Sequence, residues 1–346
     1  TEDHAPLAIA TLHLFHSSAL QQTFPATATI FNTEAMCAYL QTALFGEARD
    51  YYTVEGCTIL EAIFLDGEGY HVRYELRITE GVTGQTLTPT VLARVFPSLF
   101  AAEAYLRGRL APLVTQMRGR GELTPFATPV ALFEARNMVV HVFPIDGELP
   151  TLVTVTDRQR MLEVFRRTLP EAQSHRFRIE ECQIEQNHYD SRQQHRLRYQ
   201  VAGRWAGDQA CDQQSIEGLV AADNRGEQTG PLILALRQWM LENHSAYHFN
   251  LPRVLGYRPD LQLLMVEAVP GAPQIVPLLI TQLHGVMNSA TGTLSLEKAL
   301  ETGARTIAIL HSSGIELGQI RTFMNELRAL QARLQPVWQF SPALAV

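Results

Sequence analysis

Residues 54–79 read VEGCTILEAIFLDGEGYHVRYELRIT, and residues 179–204 read IEECQIEQNHYDSRQQHRLRYQVAGR. Laid over one another at an offset of 125, they pair Glu55 with Glu180, Cys57 with Cys182, Ile59 with Ile184, Arg73 with Arg198 and Tyr74 with Tyr199. Each stretch has a strand-like run, a polar turn and a second strand-like run, which is the pattern of a β-hairpin. The ungapped match extends upstream, so that Thr29 to Ile78 falls on Thr154 to Gly203 and adds Thr29/Thr154, Met36/Met161 and Leu44/Leu169. Conservative pairs such as Asn32/Asp157, Val54/Ile179 and Phe64/Tyr189 thicken it. A period this long exceeds that of solenoid repeats, about 20–50 residues. It predicts a duplicated domain.

Working outward, each copy opens with a helix. Asn32 and Asp157 are placed to cap it, and Met36, Leu40 and Leu44 recur at helical spacing, with Met161, Phe165 and Leu169 as counterparts. After the hairpin come a third strand (Val91 to Phe96; Ile216 to Ala221) and another helix (Ala101 to Leu113; Thr229 to Glu242). Two strands close each copy: Pro129 to Glu134 with Met138 to Phe143, and Pro252 to Tyr257 with Leu261 to Val266. The predicted class is therefore α+β, with two tandem antiparallel five-stranded sheets, each with a helix inserted after its third strand. Gly271 to Gly292 then reads as loop. Beyond it Ser295 caps an amphipathic helix through Leu296, Leu300, Ala304, Ile307, Ile309 and Leu310, with Gly314 at its C-cap. A second such helix runs from Ile320 to Leu334, before Pro336. The expected division is a leader over 1–28, copies over 29–150 and 151–270, and a helical segment over 271–346.

Composition narrows the function classes. The 346 residues suit about two domains, and 46% apolar residues suffice for real cores. A net charge of −7 with no basic stripe argues against a nucleic-acid partner. Apolar runs stop short of the ~18 residues that suggest a membrane span. Ala5 to Phe15 is apolar, but Glu2 and Asp3 stand where a signal peptide carries positive charge. Cys37, Cys57, Cys182 and Cys211 form neither a disulfide framework nor a metal-ligand spacing, which predicts reduced thiols and a cytoplasmic location. Lys298 is the only lysine, and no aspartate follows Asp260.

A five-stranded lobe, then Glu267-Ala268-Val269-Pro270-Gly271, then a helical lobe resembles the order of the aminoglycoside phosphotransferase and choline kinase family, small-molecule kinases of the protein-kinase-like fold. The stretches that carry it are Arg196-Leu197-Arg198-Tyr199, Gly218-Leu219-Val220, Asp223 to Glu227, Leu263 to Glu267, and Ile309 to Ile315. They span about 154–335, and the repeat extends the resemblance over 29–150. What it implies is ATP- and Mg²⁺-dependent phosphoryl transfer to a small-molecule hydroxyl, with adenine against a hinge at Met265, Val266, Glu267, Ala268 and Val269, covered by Val220.

Phosphoryl transfer is positioning and electrostatic stabilisation. A third-strand lysine holds the α- and β-phosphates, oriented by a glutamate on the next helix, and catalytic and metal-holding aspartates come from the helical lobe. The third-strand position falls on Arg94 in the first copy and Leu219 in the second, and the glutamates on Glu103 and Glu227. Leucine cannot hold phosphate, and arginine offers a planar fork with a different reach. With no aspartate after Asp260, neither a catalytic residue nor a metal ligand is assigned in this chain. The resemblance puts the catalytic loop beyond Val346, so the expectation is a partial helical lobe, this chain alone being inactive. The alternative expectation is a pseudokinase-like binding or scaffold module.

Other motifs read as structural. Arg118-Gly119-Arg120-Gly121 lacks the Lys-Ser/Thr of a P-loop and reads as a plain loop. His244 and His248 have i, i+4 spacing but no evident third ligand. His311 suits a helix C-terminus. Glu55/Glu180 and Arg73/Arg198 read as repeated ion pairs across the hairpin.

Overall fold

In the computed structural model, which describes residues 26–46, 50–65, 69–190, 194–208, 210–223, 225–243, 251–269, 296–315, 324, 327 and 328, Asn32 caps the first helix as expected. Its Oδ1 accepts the Ala35 amide at 2.9 Å, ahead of α1 (Thr33–Phe45). Then follow β1 (Tyr52–Leu65), β2 (Gly69–Glu80), β3 (Thr86–Leu87) and β4 (Thr90–Val95). Helices α2 (Leu99–Tyr105) and α3 (Ala111–Gln116) are joined by a single π turn, and β5 (Val130–Phe133) and β6 (Met138–Val142) complete the unit. The strands are antiparallel in the order β1-β2-β4-β6-β5, with β3 on β2.

The sheet thus has six strands, one more than the sequence suggests. The addition pairs Thr86 and Leu87 with Thr79 and Ile78, after Gly84 at φ +69 has reversed the chain. Two residues carry no periodicity to read. Met36, Leu40 and Leu44 of α1 bury one face of the sheet with Tyr70, Val72 and Tyr74. Tyr105 of α2 and Leu113 of α3 cover Val130 and Val139 on the other.

The chain divides at Thr156/Asp157, slightly later than the expected 150/151. Leu152, Val153 and Val155 are buried, and the Arg120 guanidinium donates to the Val153 and Thr156 carbonyls at 2.5 and 3.0 Å. The glycine-flanked arginine is a clamp inside the first unit.

Asp157 opens the second unit, its Oδ1 accepting the Gln159 and Arg160 amides at 3.0 and 3.1 Å. The elements are α4 (Arg158–Thr168), β7 (Phe177–Asp190), β8 (Gln194–Trp205), β9 (Cys211–Ala221), α5 (Arg225–Glu242), β10 (Val254–Arg258), β11 (Leu263–Glu267) and α6 (Leu296–Ser312). The five-stranded antiparallel sheet runs β7-β8-β9-β11-β10. Strand β9 begins at Cys211 rather than Ile216, because Gln213, Gln214 and Ser215 pair with β8 without an apolar signal. Helix α5 begins at Arg225, whose amide Asp223 Oδ1 accepts at 3.3 Å, and it contains Pro231.

Leaving β3 aside, the two sheets share one strand order, first-second-third-fifth-fourth. Ile59 faces Tyr74 and Ile184 faces Tyr199; Cys57 faces Leu76 and Cys182 faces Val201. The first bulge falls at Glu55 and at Glu180, whereas the second falls at Leu60 and at Asn187, out of step with the offset. Even the helix-to-strand tie recurs. Gln41 Oε1 accepts the Val54 amide at 2.6 Å, and the Arg166 guanidinium donates to the Ile179 carbonyl at 3.0 and 3.2 Å.

The expected hairpin ion pairs are corrected by the register of the ladders. Glu55 pairs with Arg77 (3.5 Å) and Glu180 with Arg204 (3.4 Å), while Arg73 pairs with Glu61 (3.8 Å) and Arg198 with Glu217 (3.2 Å). Glu61 and Arg73 are partners in the ladder, and Glu55 lies too far along it to reach Arg73.

Gly314, at φ +66, follows α6 as a C-cap glycine, and His311 lies in its last turn. The Gly271 to Gly292 loop, the Ser295 cap, His244, His248 and, but for three residues, the helix from Ile320 to Leu334 lie outside the described residues. Among the described residues, no helix is long and apolar enough to cross a membrane.

Candidate functional site

In a sheet, residues directly opposite one another share a face. On the face of the first sheet turned away from α1, Arg94 of β4 stands opposite His71 of β2 and Val139 of β6, and His141 lies opposite Leu92. Arg94 is buried, its guanidinium 4.9 Å from the Phe96 ring centroid and 4.7 Å from that of Tyr105. It forms an ion pair with Glu148, from the turn after β6. Glu103 is therefore not the partner of Arg94. Ala102 and Tyr105 are the buried residues of α2, which turns Glu103 outward to pair with Arg107 at 3.0 Å. Tyr105 takes the inward place and supplies a π face to the guanidinium.

The turn that delivers Glu148 is built around Asp146. Its Oδ1 accepts the Glu148 and Leu149 amides at 2.7 and 3.2 Å. Gly147 passes so close to the helix that a Cβ there would lie 2.6 Å from the Tyr105 hydroxyl and 2.9 Å from Arg109 Cβ. His141 Nδ1 bonds to the Ile145 carbonyl at 2.5 Å.

Burial, and then the neighbouring Arg94 and His141, push the His71 imidazole down to about 3. Burial likewise lowers His141, outweighing Asp146, which favours its charged form. Tyr105 is pushed up by burial and by Asp146 and Glu148. At neutral pH both imidazoles are uncharged, so the guanidinium is the cation of the cluster, already held by Glu148 and set against two neighbouring rings. Sequence reading missed Glu148 because it lies 54 residues from Arg94 and not on the next helix. Its one signal is the turn Asp146-Gly147-Glu148.

In the second unit Leu219 occupies the node of Arg94, opposite Leu264. Val220 and Met265 are fully buried on the opposite face, with Leu263 and Tyr199. Val220 thus does not share a face with Leu264 or Val266. Glu267 is exposed and pairs with Arg253 at 3.3 Å, while Arg253 also binds the buried Glu171 at 2.7 Å. Burial favours the neutral Glu171 carboxyl, but the Arg253 hydrogen bond and charge outweigh it and hold the group below its usual range. The Glu267 amide donates to the Arg253 carbonyl at 2.8 Å and the Ala268 amide to Ser215 at 3.0 Å. Two of the expected adenine-facing amides are therefore engaged within the sheet, and Val269 is the next along the chain. Glu227 is exposed, because α5 turns Gly226 and Gly230 inward against Tyr257 and Leu264. Its charge acts on Tyr257, whose hydroxyl is raised by burial first and then by Glu227 and Asp223.

Among the described residues, surface hollows also lie elsewhere. One, about 470 Å³, is lined by Cys37, Cys57, Glu34, Glu55, Glu75 and Arg77, among others. Another, about 390 Å³, is lined by Gln159, Arg160, Glu163, Val164, Arg167 and Arg258. Among the described residues no three His, Cys, Asp or Glu side chains group as metal ligands. No family model matches the chain, and no curated protein or solved structure is significantly similar to it.

Proposed function

We propose that the chain is the N-terminal part of a protein of the aminoglycoside phosphotransferase and choline kinase type, with two tandem nucleotide-lobe-like units that do not themselves transfer phosphate. ATP, Mg²⁺ and a small-molecule acceptor belong, on this reading, to the whole protein. Support for the type comes from the strand order shared by the two units, each with a helix after the third main strand. The observation that carries the inactivity is the third-strand position: Leu219 in one unit, and in the other an Arg94 enclosed by Glu148, Phe96 and Tyr105. Neither offers a charge to a nucleotide's phosphates. Losing such a charge-assisted contact costs about 1.5–3 kcal/mol, roughly ten- to a hundredfold in affinity.

Calorimetric titration of adenosine, and of ATP with and without Mg²⁺, into the chain tests this. Similar affinities for the two, indifference to Mg²⁺ and no phosphoryl transfer are the expected results. Tight Mg²⁺-dependent ATP binding, or transfer sensitive to substitution in this chain, overturns the reading. The engaged amides of Glu267 and Ala268 favour a second reading, a scaffold that takes no nucleotide. Absence of binding by adenosine and ATP alike would select it.

A further inference from the structure

Helix α1 and strand β1 bring two cysteines to one surface hollow, of about 470 Å³. Cys57 is buried in the core of the first unit, and the half-buried Cys37 packs against that same cluster. We propose that Cys37 and Cys57 are a peroxide-responsive dithiol, closed to a disulfide that ties α1 to β1 when a hydroperoxide enters the hollow. The fold does not require the pair. At the same offset the second unit has Cys182 for Cys57 but Leu162 for Cys37. Cys182 is therefore an internal control, buried on the corresponding strand without that helix cysteine.

Roles follow from the contact. Both thiols line the one hollow and pack into the same cluster, and Cys57 favours the thiolate on Cys37 against the burial that raises it. Cys37 is also the more accessible of the two. Cys37 Sγ attacks one peroxide oxygen, the O–O bond breaks, and the leaving oxygen takes the thiol proton to become water. Cys57 Sγ then attacks the Cys37 sulfenic sulfur, the S–O bond breaks, and the departing hydroxide takes the Cys57 proton as a second water. Two thiols are oxidised and one peroxide is reduced.

The lining selects the oxidant. Glu34, Glu55 and Glu75 outnumber Arg77 around the hollow, which disfavours anionic glutathione disulfide and leaves a neutral hydroperoxide unopposed. The rate is set by the thiolate fraction. Burial raises Cys37, with Glu34 adding to it against the Cys57 hydrogen bond, and burial with Cys37 pushes Cys57 up to about 12. Closure is therefore slow at neutral pH and quickens about tenfold per pH unit while the thiols remain mostly protonated.

The test exposes the full chain to dilute hydrogen peroxide or to glutathione disulfide, quenches it by alkylation in denaturant, and maps unreduced peptides by mass spectrometry. A peptide pair joined through Cys37 and Cys57 is expected, with the Cys182 thiol retained and a rate that rises with pH. Glutathione disulfide should act far more slowly, and C37S should abolish the link while leaving Cys57 open to alkylation once unfolded. Sulfinic acid or a glutathione adduct on Cys37 beside a Cys57 thiol would overturn the proposal. So would oxidation of Cys182 as fast as that of Cys57. The wild-type map alone decides this, even if C37S folds poorly.

Discussion

Arg94 of the first sheet and Leu219 of the second stand at the same node of the same strand order, opposite Val139 and Leu264 respectively. The node itself demands no charge. In the second unit, leucine there sits opposite a Leu264 that packs against Gly226 and Gly230 of α5. In the first unit a guanidinium fills it, and the fold supplies two rings and a carboxylate to hold that charge.

Removing the carboxylate and removing the guanidinium should therefore have unequal effects. Glu148→Ala removes the carboxylate beside a cation whose side chain is 10% exposed, whereas Glu148 itself is 32% exposed, so water softens the loss. The expected destabilisation is about 1.5–3 kcal/mol. Arg94→Met replaces the pair's buried half by an apolar chain of similar length and should lie closer to neutral. Urea unfolding of the two variants checks the asymmetry, and equal losses would contradict it.

The two imidazoles make the first unit sensitive to acid. His71 and His141 both titrate below their ordinary value when folded, His71 at about 3, so the unfolded chain binds protons that the native chain does not. The His71 contribution is complete above about pH 6.5 and is lost as pH falls toward 3, at about 1.4 kcal/mol per pH unit, and His141 acts in the same direction. Between about pH 6 and 4.5 this slope precedes that of the carboxylates. His71→Leu should make the slope clearly shallower in urea melts taken across that window.

The hairpins and caps were legible because each has a local signature: alternation with a turn, or a short polar residue before a helical period. The ion pairs were not. Glu55 meets Arg77 and not Arg73, and Arg198 meets Glu217 of β9 rather than a partner across its hairpin, a register that alternation alone does not fix. Glu148 was hidden for a different reason, since contact order and not spacing brings the turn after β6 to β4. Val220 shares its face with Met265 and not with Leu264 or Val266, and periodicity gives each strand's alternation but not which parity meets the helix.

The corresponding caps of the two units allow one kind of interaction to be measured twice. Asn32→Ala removes one side-chain bond to an orphan amide and Asp157→Ala removes two. Each should cost about 1 kcal/mol, the aspartate somewhat more because its charge also favours the helix N-terminus. Thermal and urea unfolding should show both losses, and high salt should narrow the difference between them.

Gly218 marks where the two cores part company. A Cβ built there would lie 2.6 Å from Tyr199 Cε2 and 2.9 Å from Leu263 Cδ1. The Tyr199 ring cannot yield, being fully buried with its centroid 5.0 Å from that of Phe165. At the same offset the first sheet carries Ala93 beneath a tyrosine whose hydroxyl is drawn to the Ile30 carbonyl at 2.5 Å. There the extra carbon is accommodated. Gly218→Ala should accordingly destabilise by about 1–3 kcal/mol through overpacking, while Ala93→Gly should lose only ~0.5–1 kcal/mol. Placing Gly218→Ala in a Tyr199→Leu background separates the causes. Shortening the ring should cancel most of the penalty, a coupling that a double-mutant cycle reads directly. An undiminished penalty would assign the clash to Leu263 instead.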